Sequence, residues 1–74
     1  GETALDARCA AVAHEGGLTD REAEILGYLA RGRTKAYIAD VLFVTENTVR
    51  SHVRNIYSKL GVHTRQELLD LLER

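Results

Sequence analysis

From residue 20 onward, apolar positions recur at intervals of three and four, the repeat of α-helices that bury one side. Alternation of the kind that predicts β-strands is scarce, and the chain contains no proline. The pattern predicts an all-α fold of four helices. Their expected limits are Asp20 to Arg31, Lys35 to Phe43, Glu46 to Leu60 and Arg65 to Glu73.

Threonines directly before these runs supply hydroxyl acceptors for the free backbone N–H groups of a first helical turn. The four candidate caps are Thr19, Thr34, Thr45 and Thr64. Glu22 follows Thr19 by three residues and Glu67 follows Thr64 by three, which is the spacing of a capping box. Gly32 and Gly61 stand where a left-handed residue would close a helix.

The N-terminal segment is less regular. Leu5, Cys9 and Val12 recur at helical spacing in an alanine-rich run, but Gly16 and Gly17 separate that run from the rest. We interpret residues 1–17 as a linker or a partial N-terminal helix, and residues 18–74 as one domain, since a chain this short supports a single core.

The third run has two contrasting faces. Five apolar residues fall on one side of a helix: Val49, Val53, Ile56, Tyr57 and Leu60. Polar and basic residues fall on the other: Asn47, Arg50, Ser51, Arg54 and Ser58. A solvated face usually mixes glutamate with lysine, whereas this one has two arginines and no acid. The preceding short helix is joined by about two residues, the arrangement of a helix-turn-helix unit.

Charge is unevenly distributed although the net charge is only −1. The stretch from Arg31 to Arg65 holds seven basic and two acidic residues, whereas the remainder holds three basic and nine acidic ones. A basic middle between acidic ends is typical of a domain that presents one face to phosphates. The alternative, an ordinary solvated surface, stays open on charge alone.

The polar face of the third helix fits base reading, because a guanidinium matches O6 and N7 of guanine and an amide can pair with adenine. We therefore expect Arg50, Ser51, Arg54 and Asn47 to contact bases of double-stranded DNA in the major groove. Contacts to the phosphates are expected from five other residues: Thr45, Thr48, Lys59, Lys35 and Arg33.

Several motifs together resemble the LuxR-type DNA-binding domain, also called NarL/FixJ or GerE-like, over about residues 17–72. They are Leu18-Thr19-x-x-Glu22, Gly32-Arg33-Thr34, Ile38-Ala39, Leu42, Thr45-Glu46-Asn47-Thr48-Val49-Arg50-Ser51-His52, Asn55-Ile56, Lys59-Leu60-Gly61-Val62 and Arg65-Gln66-Glu67-Leu68. The resemblance implies a four-helix domain of the winged-helix-like superfamily without a wing. By position, the resemblance implies base contacts at Arg50, Ser51 and Arg54, and phosphate contacts at Thr45, Thr48 and Lys59.

The same resemblance implies the output domain of a bacterial, cytoplasmic transcription regulator that binds paired half-sites as a homodimer. Dimerisation through the fourth helix would fall on Leu69, Leu72 and Arg65, with Leu69 as the apolar residue that meets the partner. The simpler alternative is that all four leucines of this helix pack within one monomer. The expected input is a response-regulator receiver of a two-component system or a small-ligand sensor, which this chain does not contain. Contact with RNA polymerase is left open.

Phe43 departs from a common pattern, because helix-turn-helix turns often use glycine there to reach positive φ. We expect either a reshaped turn or a phenylalanine held by packing.

Two other functions compete with this interpretation. The fourth region of an extracytoplasmic-type sigma factor has a similar helix order, and a helical protein-interaction module would use Leu69, Leu71 and Leu72. An enzyme is disfavoured, because the three histidines have no metal-ligand spacing and no nucleophile has a base beside it. A single cysteine excludes an intrachain disulfide. No cofactor, metal or membrane contact is expected.

Overall fold

The structure, a computed structural model, describes residues 2 to 73, with side chains from Ala4 onward. It is all helical in this range, which confirms the predicted fold class. Gly1 and Arg74, which the predicted domain limits include, lie outside the described residues. The helices are α1 (Glu2–Gly16), α2 (Asp20–Ala30), α3 (Lys35–Leu42), α4 (Glu46–Leu60) and α5 (Arg65–Glu73).

The predicted caps open four of these helices. Thr19, Thr34 and Thr45 each accept from the backbone N–H three residues on, and Thr64 does the same for Glu67 at 3.1 Å. At Thr19 the capping box is complete, because the Glu22 carboxylate accepts from the Thr19 N–H at 2.9 Å. In the second predicted box, Glu67 instead accepts from the N–H of His63, at 2.7 Å. Local side-chain chemistry therefore accounts for where α2 to α5 begin.

One hydrophobic core joins all five helices. Among residues 4 to 73, its twelve buried apolar residues are Cys9, Ala13, Ile25, Leu26, Leu29, Ile38, Ala39, Val49, Val53, Ile56, Leu68 and Leu72. α2 and α4 pack on each other, and α4 also packs on α3. Helix α4 is thereby held on its apolar side mainly by α2 and α3, with a smaller contact to α1, which leaves its other side outward.

Residues 2–16 form a full helix that takes part in the core, so the described part of the chain has five helices where the sequence pattern predicted four. Cys9 and Ala13 of α1 are buried, and α1 packs mainly on α2 and α5. Asp6 of α1 forms an ion pair with Arg31, the C-cap residue of α2. Residues 2–16 are thus a packed helix in the structure.

Phe43 closes α3 in the left-handed conformation, with φ 58° and ψ 43°. It is also 94% exposed, so packing does not hold it there. Neither expected arrangement is present. The turn keeps a positive φ at Phe43, and the bulky side chain lies in solvent instead of being packed. Val44 and the cap Thr45 then lead directly into α4.

Within residues 2 to 73, no helix combines the length and the apolar content that crossing a bilayer requires.

Candidate nucleic-acid interface

The two predicted faces of α4 are present. Val49, Val53 and Ile56 are buried, and Tyr57 and Leu60 are partly buried against the core. The five residues of the opposite side are all exposed: Asn47, Arg50, Ser51, Arg54 and Ser58. The structure therefore brings every residue predicted to read bases onto one outward surface, which we call the α4 outer face.

Arg50 is tied to the turn of α4 that precedes it. Its Nη1 donates to Oδ1 of Asn47 at 2.8 Å, and its Nη2 lies 3.8 Å from Oε1 of Glu46. The side chains of Arg50 and Glu46 are both about half exposed, at 54% and 51%. Because water screens such a pair, these contacts orient the guanidinium more than they stabilise the fold.

Arg54 lies one turn further along the same face and is exposed. Among the described residues, no hydrogen bond or ion pair engages its guanidinium. The α4 outer face thus offers one oriented and one free guanidinium, both with unused donors.

Four of the residues predicted to bind phosphate are exposed around α3 and the start of α4. The hydroxyl oxygens of Thr45 and Thr48 lie 3.0 Å apart at the first turn of α4. Lys35 begins α3, and Arg33 precedes it with its Cζ 4.9 Å from the centre of the Tyr37 ring. Exposed hydroxyls, backbone amides and cations in this arrangement suit an anionic partner.

Lys59 differs from the other predicted phosphate contacts. Its Nζ lies 2.7 Å from Oε1 of Glu22, a carboxylate whose side chain is only 5% exposed. The pair joins the last turn of α4 to the first turn of α2, so Lys59 is occupied within the fold. Lys59 therefore supports the packing of α4 on α2, and its assignment as a phosphate contact stays a prediction.

The hydrogen bond from Lys59, followed by that from the Thr19 N–H, holds the pKa of Glu22 below its ordinary value. The carboxylate is ionised at neutral pH, and its Oε1 accepts from both Lys59 and the Thr19 N–H, so that it fixes α4 against α2.

The three residues of α5 that were predicted to form a dimer contact have different environments in the structure. Leu72 is 3% exposed and belongs to the core, so it has almost no surface to offer a second molecule. That corrects its place in the predicted dimer surface. Arg65 donates from Nη2 to the carbonyl oxygens of Leu29 (3.0 Å) and Arg33 (3.4 Å), which attaches α5 to the end of α2. Leu69 is partly exposed, and of the three it alone keeps apolar surface for a partner.

Sequence reasoning missed two residues that act on this site. Glu46 was named only as the start of the third helix and within the motif, although an acid four residues before an arginine is a standard helical pair and would have indicated its contact with Arg50. Glu22 was read only as half of a capping box, and its partner Lys59 is 37 residues away. No local pattern could have paired them.

Among residues 2 to 73, histidine, cysteine and carboxylate side chains form no group of three or more that could hold a metal ion.

Comparison with known proteins supports the assignment to a family. The family model described as bacterial regulatory proteins, luxR family, matches residues 17–72. The chain is 42% identical over 57 residues to the Fimbriae Z protein of Salmonella typhimurium, which covers 77% of this chain and 27% of that protein. The Fimbriae Z protein of Escherichia coli K12 is 47% identical over 53 residues, or 72% of this chain and 25% of that one.

A third relative is the HTH-type transcriptional regulator MalT of Yersinia pestis, which is 42% identical over 57 residues, 77% of this chain and 6% of the relative. The chain thus spans about a quarter or less of these relatives. No solved structure matches it. The family match covers most of the chain and includes α2 to α5 with the α4 outer face. The chain belongs to the luxR family of bacterial regulatory proteins and carries its helix-turn-helix DNA-binding domain.

Proposed function

We propose that this domain binds specific sequences of double-stranded DNA, with α4 in the major groove, as the output domain of a cytoplasmic transcription regulator. Arg50, Ser51 and Arg54 contact base edges, with Asn47 beside them. Thr45, Thr48, Lys35 and Arg33 contact the sugar-phosphate backbone and set the position of α4 without reading sequence.

The observation that carries the proposal is the α4 outer face itself. Two guanidinium groups, an amide and two hydroxyls project together from a helix whose opposite side is locked in the core. A rigid helix with outward arginines can enter the major groove, where each base pair presents a distinct set of donors and acceptors. Basic residues flank this face, whereas α1 and α5 carry most of the acids.

We further propose that the protein binds paired half-sites as a dimer through α5, with Leu69 at the contact. One relative is named as an HTH-type transcriptional regulator, which agrees with regulation of transcription. Relatives of different lengths contain a similar segment, so the receiver or sensor that controls this domain stays a prediction.

Selection of bound sequences from random duplexes tests the proposal, using the 74-residue chain. We expect one enriched motif, repeated with fixed spacing and symmetry, because a symmetric dimer imposes its symmetry on its site. The logarithm of the binding constant should fall linearly with the logarithm of salt, by about 0.9 for each phosphate contacted. Binding without enrichment, or without salt dependence, would contradict the proposal.

Replacement of Arg50 tests the central residue. Arg50→Ala should cost about 1–3 kcal/mol on the preferred site and relax the preference at one base pair. Ser58→Ala, on the same face of the same helix, is the matched control and should change binding little. Equal weakening on every sequence would make Arg50 a phosphate contact.

A further inference from the structure

Arg50 has a more restricted environment than its position on an exposed helical face requires. Two acceptors in the preceding turn, Oδ1 of Asn47 and Oε1 of Glu46, lie 2.8 Å and 3.8 Å from its two terminal nitrogens. Both lie N-terminal to Arg50, so they draw the guanidinium toward the start of α4. In helix-turn-helix proteins this end of the recognition helix contacts base edges.

Glu46 is an unusual residue for a surface that meets DNA. DNA phosphates repel a carboxylate. The location of Glu46 in the first turn of α4 offsets part of this repulsion through the helix dipole. Its proximity to Arg50 supplies a second compensation. The acid is therefore tolerable at this place because it is paired with a residue of the same interface.

Arg54 provides the internal comparison. It has the same side chain, helix and face, yet no acceptor among the described residues orients it. Binding must restrict its rotamers, which is costly for a long side chain. For Arg50 part of that restriction is already present in the free protein.

Resting on the proposed function, we propose that Asn47 and Glu46 act as positioning residues that hold the Arg50 guanidinium for one base pair, and that Asn47 is not a separate base reader. The hydrogen bond to Asn47 uses one of the five N–H donors of the guanidinium. The remaining donors suffice for a bidentate contact with guanine. Of the two arginines, Arg50 is then the one that selects a particular base pair, and Arg54 can adapt its side chain to different base pairs.

The test compares base preferences rather than affinities alone. With the preferred duplex from the selection and its single base-pair variants, binding is measured for wild type, Arg50→Ala, Asn47→Ala and the double variant. Asn47→Ala should reduce the preference at the base pair read by Arg50 by about fivefold, the size of one net hydrogen bond. The double variant should be no less selective than Arg50→Ala, because the two residues act as a unit.

The opposite result is equally clear. Loss of preference at a different base pair, adding to the effect of Arg50→Ala, would make Asn47 an independent reader and overturn the inference. Unchanged preferences in Asn47→Ala would overturn it as well. In either case the proposed function stands, since wild type and Arg50→Ala still show specific binding. If wild type has no sequence preference, both fail.

Two conservative variants separate positioning from direct contact. Asn47→Asp keeps an acceptor for Arg50 but loses the amide donors, so it should retain the preference at that base pair while binding all duplexes more weakly. Glu46→Gln removes a negative charge from the interface, so it should bind all duplexes more tightly while losing selectivity at the Arg50 base pair. Loss of the preference in Asn47→Asp, or full selectivity in Glu46→Gln, would contradict the respective role. All these positions are exposed, so each variant should fold, which circular dichroism checks.

Discussion

At the scale of single residues, Phe43 combines a left-handed backbone with an almost fully exposed aromatic side chain. A side chain with a Cβ is strained in that region by about 1 kcal/mol, whereas glycine is not. The phenylalanine gains no packing in return within the described part of the chain. Stability is therefore not the reason for a phenylalanine at this turn.

We expect Phe43→Gly to stabilise the fold by about 1 kcal/mol, because backbone strain is relieved and no buried contact is lost. Urea denaturation of both proteins, followed by circular dichroism, measures the difference. Phe43→Ala is the control, since it removes the ring but keeps the Cβ and should change stability little. Destabilisation by the glycine variant would show that the ring contributes to the native state.

Glu22 is the one buried charged residue in the described range. Glu22→Gln keeps an acceptor for Thr19 but loses the charge that attracts Lys59, so we expect a loss of about 1–2 kcal/mol after allowance for the partly exposed lysine. Glu24→Gln, on the same helix and exposed, is the matched control. A loss as small as in the control would mean that the Lys59 pair contributes nothing to stability.

The pH dependence of stability follows from the same carboxylate. Its pKa in the folded protein is lowered, so its stabilising effect is complete above the pKa of the unfolded state and disappears as pH falls through the folded pKa. The difference in unfolding free energy between wild type and Glu22→Gln should therefore be constant near neutrality and shrink below about pH 4.5. Denaturation curves at several pH values measure it, and a difference that grows in acid would contradict the assignment.

At the scale of elements, α2 to α5 were predictable because their signals are local. Threonine caps, the spacing of apolar residues and Gly61 mark limits that agree with the structure to within one residue. The segment of α1 has apolar residues at helical spacing but no threonine cap, so its limits were not marked. Its alanines give it a weak contrast between faces, and only packing against α2 and α5 shows that Cys9 and Ala13 are its inner side.

The docking of α1 can be tested with two alanines of the same helix. Ala13 is buried and Ala11 is exposed, so Ala13→Glu places a charge without a partner in the core whereas Ala11→Glu does not. We expect Ala13→Glu to lower the melting temperature and to expose Cys9 to a thiol reagent. Burial slows that reaction in wild type, since it also raises the pKa of the thiol. Equal reactivity in the two variants would show that α1 is not docked.

At the scale of the whole molecule, the leucines of α5 serve two different surfaces. Leu72 lies in the core, whereas Leu69 lies on the proposed dimer surface. Leu72→Ala should destabilise the monomer by about 2–5 kcal/mol, the range for a buried leucine, and Leu69→Ala by less. Leu69→Ala should instead weaken binding to paired half-sites while leaving binding to one half-site unchanged. Gel-shift titrations on both duplexes measure this. Equal effects on the two duplexes would remove Leu69 from the dimer contact.

The fold class, the limits of α2 to α5 and the two faces of α4 were determined by the sequence alone, because caps and helical spacing act over three or four residues. The same spacing placed Arg50 and Arg54 on one outward surface. Only the tertiary structure decided which side chains are engaged within the fold and which remain available to a partner. Lys59 is bound by Glu22, Arg65 holds the end of α2, and Leu72 lies in the core. Each of these depends on residues distant in the chain, whose proximity arises only when the helices pack.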